Sequence, residues 1–183
     1  YITCQKVFGA VRCGQDNSLA GIADAPLVYL TADKLETVAS GTSPLMEMKE
    51  AKSFVNIKEI KDLGGQTHLI TSTIGPGGVS QHLMEVGETI MHSSTTNGIN
   101  ISGGTLRMKS SRINSAANAS GNPVLKSGGT LVLEQCALVA ESTRDSISAA
   151  TAQTVVSLGS YANKAVDGDV TVDGVLTVGA YVV

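Results

Sequence analysis

From about residue 50 onward, apolar and polar residues alternate in short runs. These are Phe54-Val-Asn-Ile57, Thr67-His-Leu-Ile-Thr71, His82-Leu-Met-Glu-Val86, Ile99-Asn-Ile101, Thr105-Leu-Arg-Met108, Thr130-Leu-Val-Leu133, Thr154-Val-Val-Ser-Leu158 and Val170-Thr-Val172. Gly, Ser, Asn and Thr separate them. A period of two between turn residues predicts strands, so the fold class is mainly β. The first 48 residues have another texture. The apolar cluster Ala25-Pro-Leu-Val-Tyr-Leu30 leads into Thr31-Ala-Asp-Lys-Leu-Glu-Thr-Val-Ala39, where Thr31 is placed to cap a short helix that Gly41 ends. Residues 1–48 are therefore expected to form a small mixed N-terminal cap or attachment segment, and residues 49–183 a β region.

The arrangement of the strands follows from an internal repeat: Ser102-Gly-Gly-Thr-Leu106 recurs as Ser127-Gly-Gly-Thr-Leu131, 25 positions on. Carried forward, that offset sets Leu106 over Leu131, Met108 over Leu133, Ser111 over Cys136 and Ile113 over Leu138. The intervening Arg107, Lys109 and Arg112 fall over Val132, Glu134 and Ala137. Small and apolar positions agree while polar ones drift, as expected when strands alternate between a shared interior and solvent and stack in register. Parallel strands cannot be joined by tight hairpins, so the pattern predicts a parallel β-helix, or β-solenoid, with rungs of about 25 residues.

A third pass at the same offset puts Val156 and Leu158 below Leu131 and Leu133. It then sets Tyr161 and Asn163 below Cys136 and Leu138, where the match degrades. Roughly five turns, ~25 Å tall, are expected. The ends of such a stack expose unpaired backbone, so capping by another domain or by sister chains is expected, and a homotrimer would supply it. Upstream, Thr67-His-Leu69 and Gln81-His-Leu83 lie only 14 apart, which predicts shorter turns or a different packing there. Asp173-Gly174, between two alternating runs, predicts a hairpin or a solenoid corner.

Composition narrows the picture. Hydrophobic residues make up 42% of the chain but aromatics only 3%, without tryptophan, so the core must be aliphatic and a sugar cleft walled by Trp is disfavoured. The net charge is −3 and no stretch gathers the basic residues into a stripe, so nucleic acid is not an expected partner. No apolar run approaches the ~20 residues of a bilayer span, and no basic region followed by an apolar one opens the chain, so no membrane insertion is expected. Tyr1 in place of an initiator methionine, and a strand-like run up to Val183, give the expectation of a fragment. The three cysteines Cys4, Cys13 and Cys136 cannot all pair within one chain. Free thiols are the favoured reading, a Cys4–Cys13 bridge the next, and a metal site the least favoured, because neither CxxC nor a nearby His accompanies them.

The stretches Asn97-Gly-Ile-Asn-Ile-Ser-Gly-Gly-Thr-Leu106, Gly128-Gly-Thr-Leu-Val-Leu-Glu-Gln-Cys-Ala-Leu138 and Ala152-Gln-Thr-Val-Val-Ser-Leu-Gly-Ser-Tyr-Ala-Asn-Lys-Ala-Val166 resemble the β-helical shafts of bacteriophage fibre and tailspike-type virion proteins. The likeness covers about residues 95–175 and is one of texture and repeat style. It implies a homotrimer mounted on other virion proteins of the phage particle through the N-terminal part. It further implies a far end that contacts a host-surface glycan or protein receptor.

Glu134, Glu141 and Asp145 are the carboxylates nearest the repeats, and a glycan-cleaving acid–base pair would have to face across a bound sugar. Solvated charges on a polar face are the favoured reading. His68, His82 and His92 show no HxH or HxxxH spacing, so surface or strand-edge histidines are preferred to axial ion ligands or a catalytic base. Ile74-Gly-Pro-Gly-Gly78 and the SGGT elements lack the Lys-Ser/Thr of a phosphate loop and read as turns. Asn100-Ile-Ser102 and Asn118-Ala-Ser120 fit the glycosylation pattern, which short chance matches also produce. Cys136 is expected to point inward. Arg107, Lys109 and Arg112 read as a solubilising cluster, with an acidic polymer as the alternative partner. No catalytic residue, cofactor or metal is assigned. The expected function is structural and adhesive: a fibre or spike component mediating attachment. A polysaccharide lyase or hydrolase of the depolymerase kind, or a bacterial surface adhesin, is the alternative.

Overall fold

The computed structural model describes residues 1–14, 27–37, 44–49, 51–62, 68–73, 81–91, 97–114, 121–140 and 143–179. In chain order the strands begin with β1 (Ile2–Phe8), β2 (Val11–Cys13), β3 (Leu27–Thr37), β4 (Met46–Met48), β5 (Lys52–Asp62), β6 (His68–Ser72), β7 (Gln81–Met91) and β8 (Asn97–Ile101). They continue as β9 (Thr105–Lys109), β10 (Arg112–Asn114), β11 (Val124–Lys126), β12 (Thr130–Glu134), β13 (Ala137–Val139), β14 (Ile147–Ala149), β15 (Gln153–Ala162) and β16 (Val170–Val178). Among the described residues there is no helix, and none therefore that could cross a membrane as one.

Two sheets wind one coil. The smaller has the order β14-β11-β8-β6-β4-β2, one strand per turn, and its six strands mark about five turns. The larger stacks β1, β3, β5, β7, β9, β12, β15 and β16, with β10 and β13 as continuations of β9 and β12 beyond a bend. Named pairings in both sheets are parallel, so the chain is a β-solenoid.

The predicted register holds where the repeat is explicit: Leu106 pairs with Leu131, Met108 with Leu133 and Ile113 with Leu138. All six are fully buried. At ~1.5–3 kcal/mol for each such side chain removed from water, these columns contribute substantially to the burial that stabilises the coil. The Ser-Gly-Gly-Thr turns carry the chain from the small sheet into the large one. Gly104 and Gly129 have φ of +73° and +65°, and a Cβ on Gly129 would lie 2.7 Å from the Gly104 carbonyl oxygen, so one tight turn stacks on the next.

Four expectations are corrected. The third pass runs at an offset of 24, with Val155 against Leu131 and Ser157 against Leu133. A one-residue slip exchanges the faces of a strand. At the corrected offset Val155, Ser157 and Ala162 point inward, Ala162 lies beside Leu138, and the register does not degrade. The 14-residue spacing upstream is half a turn, since His68 lies in the small sheet and His82 in the large one. The helix expected from Thr31 is part of β3, which pairs with β5 from Leu27–Lys52 to Thr37–Asp62 at the same offset of 25. There Leu30, Ala32 and Leu35 reach the interior, and burial against β5 overrides the helical propensity of Ala, Lys, Leu and Glu. The other described strands of residues 1–48, β1, β2 and β4, also pair in parallel within the two sheets. Finally, Asp173-Gly174 lies inside β16, which pairs in parallel with β15 on both sides of a register shift between Leu158 and Ser160, without a hairpin.

The large sheet bends, and the bend has its own chemistry. Ser110 (φ +48°), Gln135 (φ +52°) and Gly159 (φ +74°) occupy one outward column and break the two-residue alternation. The inward residues that follow, Ser111, Cys136 and Ser160, satisfy the backbone this exposes. The Val86 N–H donates to Ser111 Oγ at 2.8 Å and the Cys136 N–H to Ser160 Oγ at 3.0 Å. Cys136 is buried in that column, as its alignment with Ser111 predicts.

Candidate functional site: a groove on the outer face

Before the bend, the larger sheet turns three columns of side chains outward. The central column begins with Tyr29, Phe54, Leu83 and Arg107 and continues through Val132 and Val156. Tyr1 stacks on Tyr29 with ring centroids 4.5 Å apart and planes 10° from parallel, and Tyr29 meets Phe54 at 6.5 Å and 43°. One flanking column holds Leu27, Lys52, Gln81 and Thr105; the other holds Asn56, Glu85, Lys109 and Glu134. Together the first two columns line an open groove of about 420 Å³. Tyr29, Phe54 and Leu83 form its floor, Leu27, Lys52, Gln81, Thr105 and Arg107 its walls, and Ser53 and His82 also border it.

Beyond the bend, the same sheet is charged. Lys34 Nζ lies 2.7 Å from Glu36 and 2.8 Å from Glu59, Lys6 reaches Glu36 at 3.4 Å, and Arg112 approaches Glu88 at 3.5 Å. These partly exposed pairs contribute little stability each. They mark this half as a solvated face and set off the apolar groove beside it.

The carboxylates weighed as an acid–base pair are not brought together. Glu134 accepts both Nε–H and Nη2–H of Arg107 on Oε2, and that hydrogen bonding holds its carboxyl below the ordinary range. A carboxyl so stabilised as the anion is a poor proton donor. Asp145 lies on the small-sheet side, where its carbonyl accepts from Asn122 Nδ2 at 2.8 Å. Glu141, His92, the Ile74–Gly78 run and Asn118–Ser120 lie outside the described residues. The basic cluster is split: Arg107 and Lys109 are on β9, while Arg112 is on β10 past the bend, with Asn114 Oδ1 3.2 Å from its Nε.

The histidines join the framework. Expected at a surface or strand edge, His82 is buried beside Ser53. Its Nε2 lies 2.9 Å from the Lys49 carbonyl and its Nδ1 2.7 Å from Ser53 Oγ. A carbonyl can only accept, so Nε2 carries the proton and Nδ1 accepts from the serine hydroxyl. Serine, imidazole and an orienting acceptor make up the parts of a nucleophile–base pair. Ser53 and His82 border the groove but are only 7% and 3% exposed, so the pair chiefly clasps neighbouring rungs. Burial lowers the His82 pKa, partly opposed by the Lys49 carbonyl. His68 is half-buried in a polar ladder. The Asn122 N–H donates to Asn97 Oδ1 at 2.8 Å, which leaves Asn97 Nδ2 to donate to His68 Nδ1 at 3.3 Å. Asn100, weighed as a glycosylation acceptor, approaches His68 Nε2 at 3.3 Å in the same ladder.

Cys4 and Cys13 are free thiols on different sheets. Burial pushes Cys13 up to about 11 and raises Cys136. Lys126 lies inside the solenoid between Ile101 and Ala149, its ammonium donating to the Gly129 carbonyl at 2.8 Å and to Gln153 Oε1 at 2.7 Å. Among the described residues, no group of three His, Cys, Asp or Glu is placed to hold a metal ion.

The groove was not foreseen, although one signal for it was present. Tyr29 and Phe54 stand 25 apart, the offset of the downstream repeat. Comparison with protein-family models, curated proteins and solved structures finds no match.

Proposed function

We propose that the chain is a structural attachment module, a rung-stacked segment of a virion fibre or spike that assembles as a homotrimer and carries a contact surface for a host cell. The supporting observation is the unbroken parallel ladder from β1 to β16 around one aliphatic interior. Such a ladder makes a stiff element that projects side chains at fixed ~4.8 Å steps, which suits presentation of a surface along an axis.

The test has two parts. Light scattering on the purified chain is expected to give three copies per particle, and immunogold electron microscopy of the source particle to place the label on a projecting appendage. A monomer removes the trimeric fibre. Label on a bacterial envelope favours the adhesin, and release of reducing ends or unsaturated uronides from host polysaccharide favours the depolymerase.

A further inference from the structure

We infer that the groove docks a proline-rich peptide in the polyproline II conformation, its pyrrolidine rings stepping along Tyr29, Phe54 and Leu83 and an acidic residue beside them meeting Lys52. This adds a protein partner to the attachment reading and does not depend on it.

The step between rungs carries it. Tyr29, Phe54 and Leu83 stand on consecutive rungs of one column, so Tyr29 and Leu83 lie ~9.6 Å apart along the axis at ~4.8 Å per rung. A polyproline II helix brings every third residue back to the same face after ~9.3 Å, three residues at ~3.1 Å each. Prolines at i and i+3 therefore keep step with alternate rungs to within ~0.3 Å. Other peptide shapes do not. A β-strand repeats a face every ~6.7 Å. An α-helix repeats one every ~5.4 Å on a body ~10 Å across, and is out of step by ~1.2 Å after two rungs.

The surface chemistry agrees. The floor is two aromatic rings and a leucine, with Leu27 on the wall beside them. Pyrrolidine rings are apolar on every edge and pack on aromatic and aliphatic side chains alike, the mode by which aromatic-lined grooves take up this conformation. A sugar in the same place would set hydroxyls against Leu27 and Leu83 without partners. A polyproline II backbone leaves its carbonyls unbonded, and Gln81 and Thr105 offer an amide and a hydroxyl from the wall to donate to them. The peptide is ordered before it binds, so an open groove of about 420 Å³ has little chain entropy to overcome.

Charge decides what flanks the prolines. Among the described residues lining the groove none is acidic. Arg107 is already paired with Glu134. Lys52, two residues before Phe54 on β5, is exposed and has no carboxylate partner among the described residues. It is the uncompensated charge of the groove, and an acidic residue next to the prolines is its complement.

Fluorescence anisotropy of a labelled oligoproline peptide ending in two glutamates, titrated with the intact chain, tests this. The same peptide ending in two lysines, a Gly-Ser peptide ending in two glutamates, and unlabelled oligogalacturonate as competitor serve as comparisons. Saturable binding of the proline–glutamate peptide is expected. It should weaken at least about tenfold in Phe54→Ala and in Leu83→Ala, about three- to tenfold in Lys52→Glu, and stay unchanged in Lys61→Glu on the charged half. The lysine-ended peptide should bind the parent chain more weakly and Lys52→Glu more tightly, a reversal that misfolding cannot produce. Circular dichroism establishes that each variant is folded, and light scattering should give Phe54→Ala the particle mass of the parent. Absence of saturable binding overturns the inference, as does equal binding of the Gly-Ser peptide or an equal loss in Lys61→Glu. Displacement by oligogalacturonate assigns the groove to a glycan, and a changed particle mass in Phe54→Ala assigns it to a sister chain; either result overturns the peptide.

Discussion

Val155, not Val156, lies against Leu131, one residue short of the offset that joins Leu106 to Leu131. That slip decides which residues of β15 are core. It gives the sharpest mutational contrast in the molecule. Val155→Asp puts an unpaired carboxylate into the interior and is expected to abolish folding, whereas Val156→Asp, half-buried on the outer face beside Asp173, should cost only about 1–2 kcal/mol. Urea melts of the two variants check it, and equal effects would place the strand in the other register.

Much of the fold is legible in the sequence for a definite reason. Where Ser-Gly-Gly-Thr-Leu recurs, the turn has one permitted shape, so identity survives at Gly104 and Gly129 and marks the period. Elsewhere the same period of 25 links Leu30 to Val55 and Ala32 to Ile57, but only as interchangeable aliphatic residues, and no identity draws attention to it. The helical expectation at Thr31 failed because local propensity is weak beside burial of Leu30 and Leu35. The groove was hidden for another reason: its residues come from four strands and become neighbours only when the rungs stack.

Gly174 has φ +100°, and a Cβ there would lie 2.3 Å from the Ser157 carbonyl oxygen. Gly174→Ala must therefore both adopt an unfavourable backbone conformation and push β16 off β15. We expect a loss of about 1–3 kcal/mol and loss of amide-exchange protection confined to β16. An alanine variant as stable as the parent would show that β16 does not pair as described.

At the bend, Ser160→Ala leaves the Cys136 N–H buried without its acceptor. The expected cost is about 1–3 kcal/mol by chemical denaturation, and Ser160→Thr, which keeps the oxygen, should recover part of it. A neutral Ser160→Ala would remove the hydroxyl column from the account.

The histidines set a pH dependence. Burial lowers the pKa of both His68 and His82 in the folded chain. Such a group is neutral when folded and takes up a proton more readily when unfolded. Its stabilisation is complete above the unfolded value, ~6.5, and is lost as pH falls from there toward the folded value. Tm should therefore decline between about pH 6.5 and 5, before Glu36, Glu134 and Asp167 begin to lose the anionic forms that hydrogen bonding favours. A smaller decline is expected in His82→Gln. A Tm that is flat across this window contradicts the buried Ser53–His82 clasp.

The claim on which the rest depends is the stacking register of the outer column, because it brings Tyr29, Phe54, Leu83 and Arg107 together. Nitroxides placed at Val132→Cys and Val156→Cys, in a Cys4→Ser background with buried Cys13 and Cys136 left in place, measure it directly by continuous-wave electron paramagnetic resonance. In-register neighbours are ~5 Å apart between Cα atoms, so the doubly labelled chain should give a spectrum strongly broadened by spin–spin coupling. A spectrum equal to the sum of the two singly labelled chains would contradict the stacked solenoid and, with it, the groove.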